Sequence, residues 1–169
     1  MKKIIRVVLV VFLILLVLIQ FKRPQKNIST NVASDIHTKY AIPPNVDSTL
    51  KVACYDCHSN NSAYPWYWNF QPVAWFMDGH IKEGKKELNF SEFANYSIFK
   101  QYGKLKQMND EVKSGDMPLT SYTLIHTDAR LTDQQKRELA DWVVTTRKQI
   151  ENNYPVDSLV KKKKQAVYH

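Results

Sequence analysis

The sequence predicts an all-α fold, and three observations favour it. The chain has only four glycines among its 169 residues, and its alternating apolar and polar runs are short, which argues against a β-rich fold. Apolar residues instead recur at helical spacing in several segments. The clearest segment lies near the C-terminus, where Thr132 and Gln135 form a capping box and Leu131 occupies the position of a hydrophobic staple. We predict a helix there, and its buried stripe should consist of Leu139, Trp142, Val143, Thr146 and Ile150.

Three further segments in the middle of the chain are predicted to be helical. Pro43 and Pro44 precede a short helix, Ser91 is a predicted N-cap, and Ser114-Gly115 is a predicted helix stop. The short helix has an apolar face of Val46, Leu50 and Ala53. The helical face that begins after Ser91 contains Phe93, Tyr96 and Phe99, and Leu105, Met108 and Val112 continue a helical face up to the stop.

The N-terminus carries an apolar run over residues 4–21 that only Arg6 and Gln20 interrupt. At about 1.5 Å per residue this run spans roughly 27 Å, which is close to the thickness of the hydrocarbon core of a bilayer. A cleaved signal peptide is the alternative, but Lys22-Arg23-Pro24 follows the run where small residues would be expected. We therefore predict that residues 1–23 form a single N-terminal transmembrane helix that anchors the chain in the membrane.

These signals divide the rest of the chain into three parts. Residues 24–41 are mixed and polar and are predicted to be a tether, whereas residues 42–153 are enough for one hydrophobic core and are predicted to be a single domain. Residues 154–169 are predicted to be a basic, flexible tail. The oligomeric state stays open.

The net charge of +8 does not indicate a nucleic-acid partner, because of where the charges lie. Ten of the 24 basic residues border the apolar run or form the lysine run at residues 161–164. Residues 27–160 contain the other 14 basic residues and all 16 acidic ones, so the body of the protein is nearly neutral. We therefore expect no nucleic acid among the partners.

The segment Cys54-Tyr55-Asp56-Cys57-His58 has the C-x-x-C-H spacing of a c-type haem attachment site. Two thiols separated by one short turn can add to the two vinyl groups of the porphyrin, and the adjacent imidazole can ligate the iron. We predict one covalent haem c at Cys54 and Cys57, with His58 as the proximal iron ligand. Since covalent haem attachment takes place outside the cytoplasm, the motif also predicts a single-pass protein of the inner membrane with its C-terminal domain in the periplasm. The motif and the surrounding helices together indicate a cytochrome-c-like helical domain around one covalent haem.

The distal iron ligand, unlike His58, is not identified by a sequence motif. Met117 is favoured because it follows a helix end and precedes Pro118, so that a constrained loop can hold its thioether toward the iron. His80 is the runner-up and would give bis-histidine iron, although it can equally bond a backbone carbonyl or a haem propionate. The remaining candidates are Met77, Met108 and His126.

The aromatic segment after the motif is a candidate wall for the haem. Large flat side chains bury much area and can contact a porphyrin, although they can equally pack a small core. The candidate haem-contacting residues are Tyr64, Pro65, Trp66 and Trp75.

Five short motifs occur along the chain in this order: Cys54-Tyr55-Asp56-Cys57-His58-Ser59-Asn60, Tyr64-Pro65-Trp66-Tyr67, Gly79-His80-Ile81-Lys82-Glu83-Gly84, Leu88-Asn89-Phe90-Ser91 and Gly115-Asp116-Met117-Pro118-Leu119. Taken as a set, they resemble the haem-binding-domain family of small, single-haem bacterial envelope proteins, over roughly residues 42–151. The resemblance implies one covalent c-type haem at Cys54, Cys57 and His58, and it favours Met117 because the Met-Pro loop of the family falls there. It implies little about physiology, since haem binding defines the family.

The function predicted from these observations is single-electron transfer between redox partner proteins of the cell envelope, with His/Met-ligated iron. A haem-based sensor or small-ligand binder with an open or weakly held sixth position is the alternative. An enzyme such as a peroxidase is less favoured, because the arginines of the domain lie in or beside the last helix. A thiol redox pair or a zinc site is also less favoured, since neither a βαβ pattern nor a recognisable fourth zinc ligand accompanies the two cysteines.

Overall fold

The computed structural model describes residues 1–160, and that part of the chain contains α-helices and 3₁₀ helices but no β-strand. The prediction of an all-α fold is therefore confirmed. The lysine run of the predicted tail, residues 161–164, lies outside the described residues. The α-helices are α1 (Lys2–Ile19), α2 (Pro44–Ala53), α3 (Tyr55–His58), α4 (Val73–Glu87), α5 (Ile98–Ser114), α6 (Thr120–Thr123) and α7 (Asp133–Asn153). Short 3₁₀ helices cover Ile36–Thr38, Trp66–Asn69, Phe90–Asn95, Thr127–Ala129 and Val156–Ser158.

The core forms where α7 packs against α5 and α2. The capping box of α7 is present as predicted, since the Thr132 hydroxyl accepts from the Gln135 backbone and the Gln135 side chain accepts from the Thr132 backbone N–H. All five residues of the predicted α7 stripe are buried, and so are the three apolar residues predicted for the short helix that is now α2. Burial of these faces, at about 25 cal/mol per Å² of apolar surface, is the main stabilising contribution to the domain.

The segment between α4 and α5 differs from the prediction. The expected helix beginning at Ser91 is divided into the 3₁₀ helix Phe90–Asn95, capped by the Asn89 side chain, and α5, capped by the Ser97 hydroxyl. Extended backbone at Tyr96 separates the two. Two competing side-chain caps therefore override the single helical face that the apolar spacing indicates.

The prediction of a transmembrane helix at the N-terminus is wrong. Within residues 1–160, none of the helices combines the length with the apolar composition that crossing a bilayer requires. Helix α1 has 18 residues, and its first turns carry Lys2, Lys3 and Arg6. Its charge-free part, residues 7–19, rises only about 20 Å, whereas a bilayer core is about 30 Å thick. The same finding contradicts the predicted location, a single pass through the inner membrane with the C-terminal domain in the periplasm.

The segments on either side of the predicted domain pack against it. In the predicted tether, the Asn27 side chain donates to the Ser59 carbonyl (2.8 Å) and the Ser62 hydroxyl (2.9 Å), and Ile36 is fully buried. At the other end, Leu159 is buried in the core. The tether and the beginning of the tail thus contribute to the folded unit in the structure.

Candidate haem site

The C-x-x-C-H motif lies on one tight turn at the junction of α2 and α3. Cys54 follows the end of α2, and its carbonyl accepts from the backbone N–H groups of Cys57 (3.2 Å) and His58 (2.9 Å). The turn therefore brings two thiols and one imidazole together within five residues. Both cysteines are free thiols in the structure.

A cleft beside this turn has two lobes. The first, here called the Cys54 lobe, has a volume of about 210 Å³ and contains Cys54 in its wall. The second, here called the Cys57 lobe, has a volume of about 280 Å³ and contains Cys57 in its wall. The two lobes share Ala53, His58, Glu87, Met117 and Pro118 as lining residues, so both are bordered by the motif and the Met117 loop, and together they are called the cleft here.

The imidazole of His58 is fixed in the form that a metal ligand needs. Its Nδ1–H donates to the Leu88 carbonyl oxygen at 3.0 Å, and because a carbonyl can only accept, the lone pair is on Nε2. Burial lowers the pKa of His58 and outweighs the opposing interactions with the backbone carbonyls of Leu88 and Gly84, so the neutral ring is favoured. A ring held by a backbone carbonyl in this way is the usual arrangement for a metal-bound histidine.

Gly84 lets α4 approach the motif closely. A Cβ atom at this position would lie 2.7 Å from the Cys57 carbonyl oxygen and 3.2 Å from the Cys57 Cβ. The end of α4 follows directly, because the Leu88 N–H donates to the Gly84 carbonyl at 2.8 Å. Close packing at Gly84 therefore places the Leu88 carbonyl against His58.

Met117 is held in the cleft by the end of α5. The helix stops at Ser114 as predicted, and Gly115 adopts the left-handed conformation with φ of +87°. This reversal allows the Met117 N–H to donate back to the Glu111 carbonyl at 3.1 Å. Met117 consequently lines both lobes together with His58.

A side-chain bond ties the chain beyond Met117 to the haem motif. The Tyr122 hydroxyl on α6 donates to the Asp56 carboxylate at 2.8 Å, and the other Asp56 oxygen accepts from the Ala63 N–H at 3.0 Å. Asp56 is one of the two spacer residues of the motif. The Met117 loop and the motif are thus connected across the cleft.

The other candidate ligands occupy different positions. His80 lines both the Cys57 lobe and the smaller cavity described next, but its Nδ1 bonds the Phe76 carbonyl at 2.8 Å, which is the backbone contact predicted as its alternative role. Met108 is buried in the core and lines the Cys54 lobe. Met77 and His126 line a smaller cavity beside the Cys57 lobe, where the His126 ring bonds the Tyr67 hydroxyl at 2.6 Å.

The four candidate haem-contacting residues, three from the aromatic segment at residues 64–70 and Trp75 from α4, are not among the residues that line either lobe. Trp66 is 76% exposed and Trp75 is 41% exposed. Tyr64, which follows Ala63 and precedes Pro65, packs edge-on against Trp68 with ring centroids 4.4 Å apart. Their contact with haem stays a prediction, and Trp68 is the ring that this segment buries.

The electrostatics of the two thiols disfavour thiolate chemistry. Burial raises the pKa of Cys54 to about 12, with repulsion from Cys57 adding to it. Burial likewise raises the pKa of Cys57 to about 11, with the Asp56 charge adding to it. Reactive cysteines of thiol redox pairs have lowered pKa values instead. The site therefore keeps two neutral thiols beside an apolar cleft.

Three contributors to the site were not identified from the sequence: the Leu88 carbonyl, Gly84 and Lys104. A backbone carbonyl carries no side-chain signature, and the role of Gly84 depends on a neighbour 27 positions away in the chain. Gly84 does lie in one of the motifs that carry the family resemblance, which is the only signal that points to it. Lys104 lines the Cys54 lobe, but a single lysine on a helix has no sequence signature that separates it from an ordinary surface residue.

The donor set of the cleft is that of a haem protein. It combines two thiols, an imidazole with a free Nε2 and a thioether along a largely apolar cleft, and these groups fit the attachment and axial ligation of haem. A family model for the haem-binding domain matches residues 14–145. The chain therefore belongs to the haem-binding domain family, as the motifs predicted. No curated protein and no solved structure matches the chain.

Proposed function

We propose that this haem-binding chain is a monohaem c-type cytochrome that transfers single electrons to and from redox partner proteins. In this proposal Cys54 and Cys57 hold one haem covalently, His58 is the proximal iron ligand and Met117 is the distal ligand. The observation that carries the proposal is that His58 and Met117, from different elements of the fold, line the same two lobes. An imidazole and a thioether are the axial pair of cytochromes c.

The covalent step needs no co-reactant beyond the haem and the two reduced thiols. Each thiol adds across one vinyl double bond, so that a sulfur–carbon bond forms and the thiol hydrogen passes to the neighbouring carbon. No electron is gained or lost in the addition, and no group leaves. Both cysteines have the reduced form that this addition requires.

When bound, haem supplies an iron that exchanges one electron between its ferrous and ferric states. The residues of the chain tune that exchange. The Leu88 carbonyl orients the His58 ring and strengthens Nε2 as a donor. The Met117 thioether favours the ferrous state and raises the reduction potential. With His58 and Met117 both bound to the iron, no coordination position would be left for a substrate, which favours electron transfer over catalysis.

The test is the far-red absorption band of the oxidised protein that reports a bond between a thioether and iron. Wild type is expected to show the band, and Met117→Ala is expected to lose it. Met77→Ala is the matched control, because Met77 lines the smaller cavity and not the cleft. A wild type without the band, or a band that survives in Met117→Ala, would overturn the ligand assignment.

A small-ligand binder is the second candidate, and one observation favours it. The smaller cavity has a volume of about 100 Å³, presents a mainly apolar surface, and shares Asp56, Cys57, His80, Leu119 and Tyr122 with the Cys57 lobe. A space of this kind can admit a small gas molecule to an open iron site. Rapid binding of carbon monoxide to the reduced protein at neutral pH would support this function, whereas electron transfer with His/Met-ligated iron predicts slow or no binding.

A further inference from the structure

Lys104 is a cation in the wall of the Cys54 lobe. It lies on α5, its side chain is only 17% exposed, and it lines the lobe together with His58 and Met108. Among the described residues that line either lobe, it is the only lysine or arginine. A charged group in so covered a position needs partners of opposite charge or hydrogen-bond acceptors.

Two neighbours hold the ammonium in place. Its Nζ donates to the Gln107 side-chain oxygen at 2.8 Å and to the Glu87 carboxylate at 3.1 Å. An ammonium has three N–H donors, so these two bonds leave one donor on a group that already lies at the cleft. Glu87 and Glu111 are the acidic residues that line this lobe, and His58 is its other titratable base.

We propose that Lys104 is a binding residue for a carboxylate of the porphyrin, that is, for a haem propionate. The proposal rests on the proposed function, because it requires haem in this cleft. A porphyrin that enters a largely apolar cleft brings two carboxylates with it, and a carboxylate that loses water needs a charge-assisted hydrogen bond in return. Glu87 and Gln107 act as positioning residues that fix the Lys104 side chain before the haem is bound.

The test is the reduction potential of the haem-loaded full chain as a function of pH. A propionate close to the iron lowers the potential when it loses its proton, so the potential falls across the pH at which the propionate titrates. Removal of a neighbouring cation raises the pKa of that propionate. Lys104→Met is therefore expected to move the midpoint of the fall upward by about one pH unit, a tenfold change in proton affinity. Lys104→Arg should stay close to wild type, because it keeps the charge.

Lys106→Met is the matched control, since Lys106 lies two residues after Lys104 on the same helix and its side chain is 59% exposed. It is expected to leave the midpoint unchanged. Glu87→Gln and Glu111→Gln show whether a protein carboxylate causes the pH dependence. The fall in potential should persist in both variants, and its disappearance in either one would overturn the proposal.

An unmoved midpoint in Lys104→Met that still carries covalent haem would also overturn the proposal and would leave the proposed function intact. A wild type that binds no haem would overturn both. If Lys104→Met does not load haem, Lys104→Gln is measured in its place. Loss of loading in both neutral variants with normal loading of Lys104→Arg would support the proposal, and equal loss in Lys104→Arg would contradict it.

Discussion

A methyl group at Gly84 is the change that most directly tests how α4 positions the haem motif. In Gly84→Ala the new Cβ would lie 2.7 Å from the Cys57 carbonyl oxygen, whereas an unstrained C···O contact is about 3.3 Å. The two backbones must therefore separate by about 0.6 Å. The obstacle is a backbone atom, which cannot turn aside as a flexible side chain can. Overpacking of this kind costs about 1–3 kcal/mol.

Gly79→Ala supplies the matched control on the same helix. Nothing lies within 4 Å of a Cβ at Gly79, so alanine there should only improve helix propensity, by about 1 kcal/mol. The same gain applies to Gly84→Ala. The difference between the free energies of unfolding of the two variants therefore isolates the strain at Gly84, and we expect Gly84→Ala to be less stable than Gly79→Ala by about 1–3 kcal/mol.

Urea unfolding of the haem-loaded chain gives these free energies, and haem content after maturation gives a second measure. Because the Leu88 N–H bonds the Gly84 carbonyl, displacement of this part of α4 also moves the carbonyl that holds His58. Gly84→Ala should therefore load less haem than Gly79→Ala. Equal stability and equal haem content in the two variants would refute the argument that close approach at Gly84 positions the motif.

Three further predictions concern the supports of the cleft and the pH dependence of stability. Gly115→Ala should lower the free energy of unfolding by about 1 kcal/mol, because alanine is strained at φ of +87°. It should also weaken the thioether-to-iron band of Met117. An unchanged band would show that the left-handed conformation at residue 115 is not needed for Met117 to bind the iron. Tyr122→Phe removes the 2.8 Å hydrogen bond to Asp56 and should cost about 1–2 kcal/mol, which urea unfolding measures; a stability equal to that of wild type would show that the bond is dispensable. Burial alone would lower the pKa of His37, but hydrogen bonds to the carboxylates of Asp35 and Asp47 and attraction to their charges outweigh it and raise the pKa. The stabilisation by His37 is therefore present below its pKa in the unfolded chain, about 6.5, and is lost as the pH rises through the higher pKa of the folded state. Urea unfolding of wild type and His37→Gln should give a stability difference that narrows with rising pH, and a difference independent of pH would contradict this assignment.

The parts of the fold that the sequence predicts well are those that local residues determine. The Thr132–Gln135 capping box and the Gly115 stop each depend on a few adjacent residues, and both are present in the structure. The buried stripe of α7 could also be predicted, because helical spacing alone decides which side chains share a face. The C-x-x-C-H turn could be predicted for the same reason, since the spacing of five adjacent residues is enough to recognise it.

The parts that the sequence does not reveal depend on contacts between distant segments. The bond between His58 and the Leu88 carbonyl joins residues 30 positions apart and involves a backbone atom that every residue possesses. The placement of Lys104 in the cleft wall depends on how α5 packs, which helical periodicity does not specify. At the N-terminus the total length of the apolar run was a poor guide, because the basic residues in the first turns of α1 shorten its apolar part.

The central claim is that one haem is attached to the Cys54-to-His58 turn, and intact-mass measurement tests it most directly. Wild type and a Cys54→Ala/Cys57→Ala variant would be produced in a host that matures c-type cytochromes. Wild type is expected to exceed the mass of its polypeptide by one haem, and the double variant is expected to have the mass of the polypeptide alone. A wild-type chain that emerges at the unmodified polypeptide mass would contradict the account.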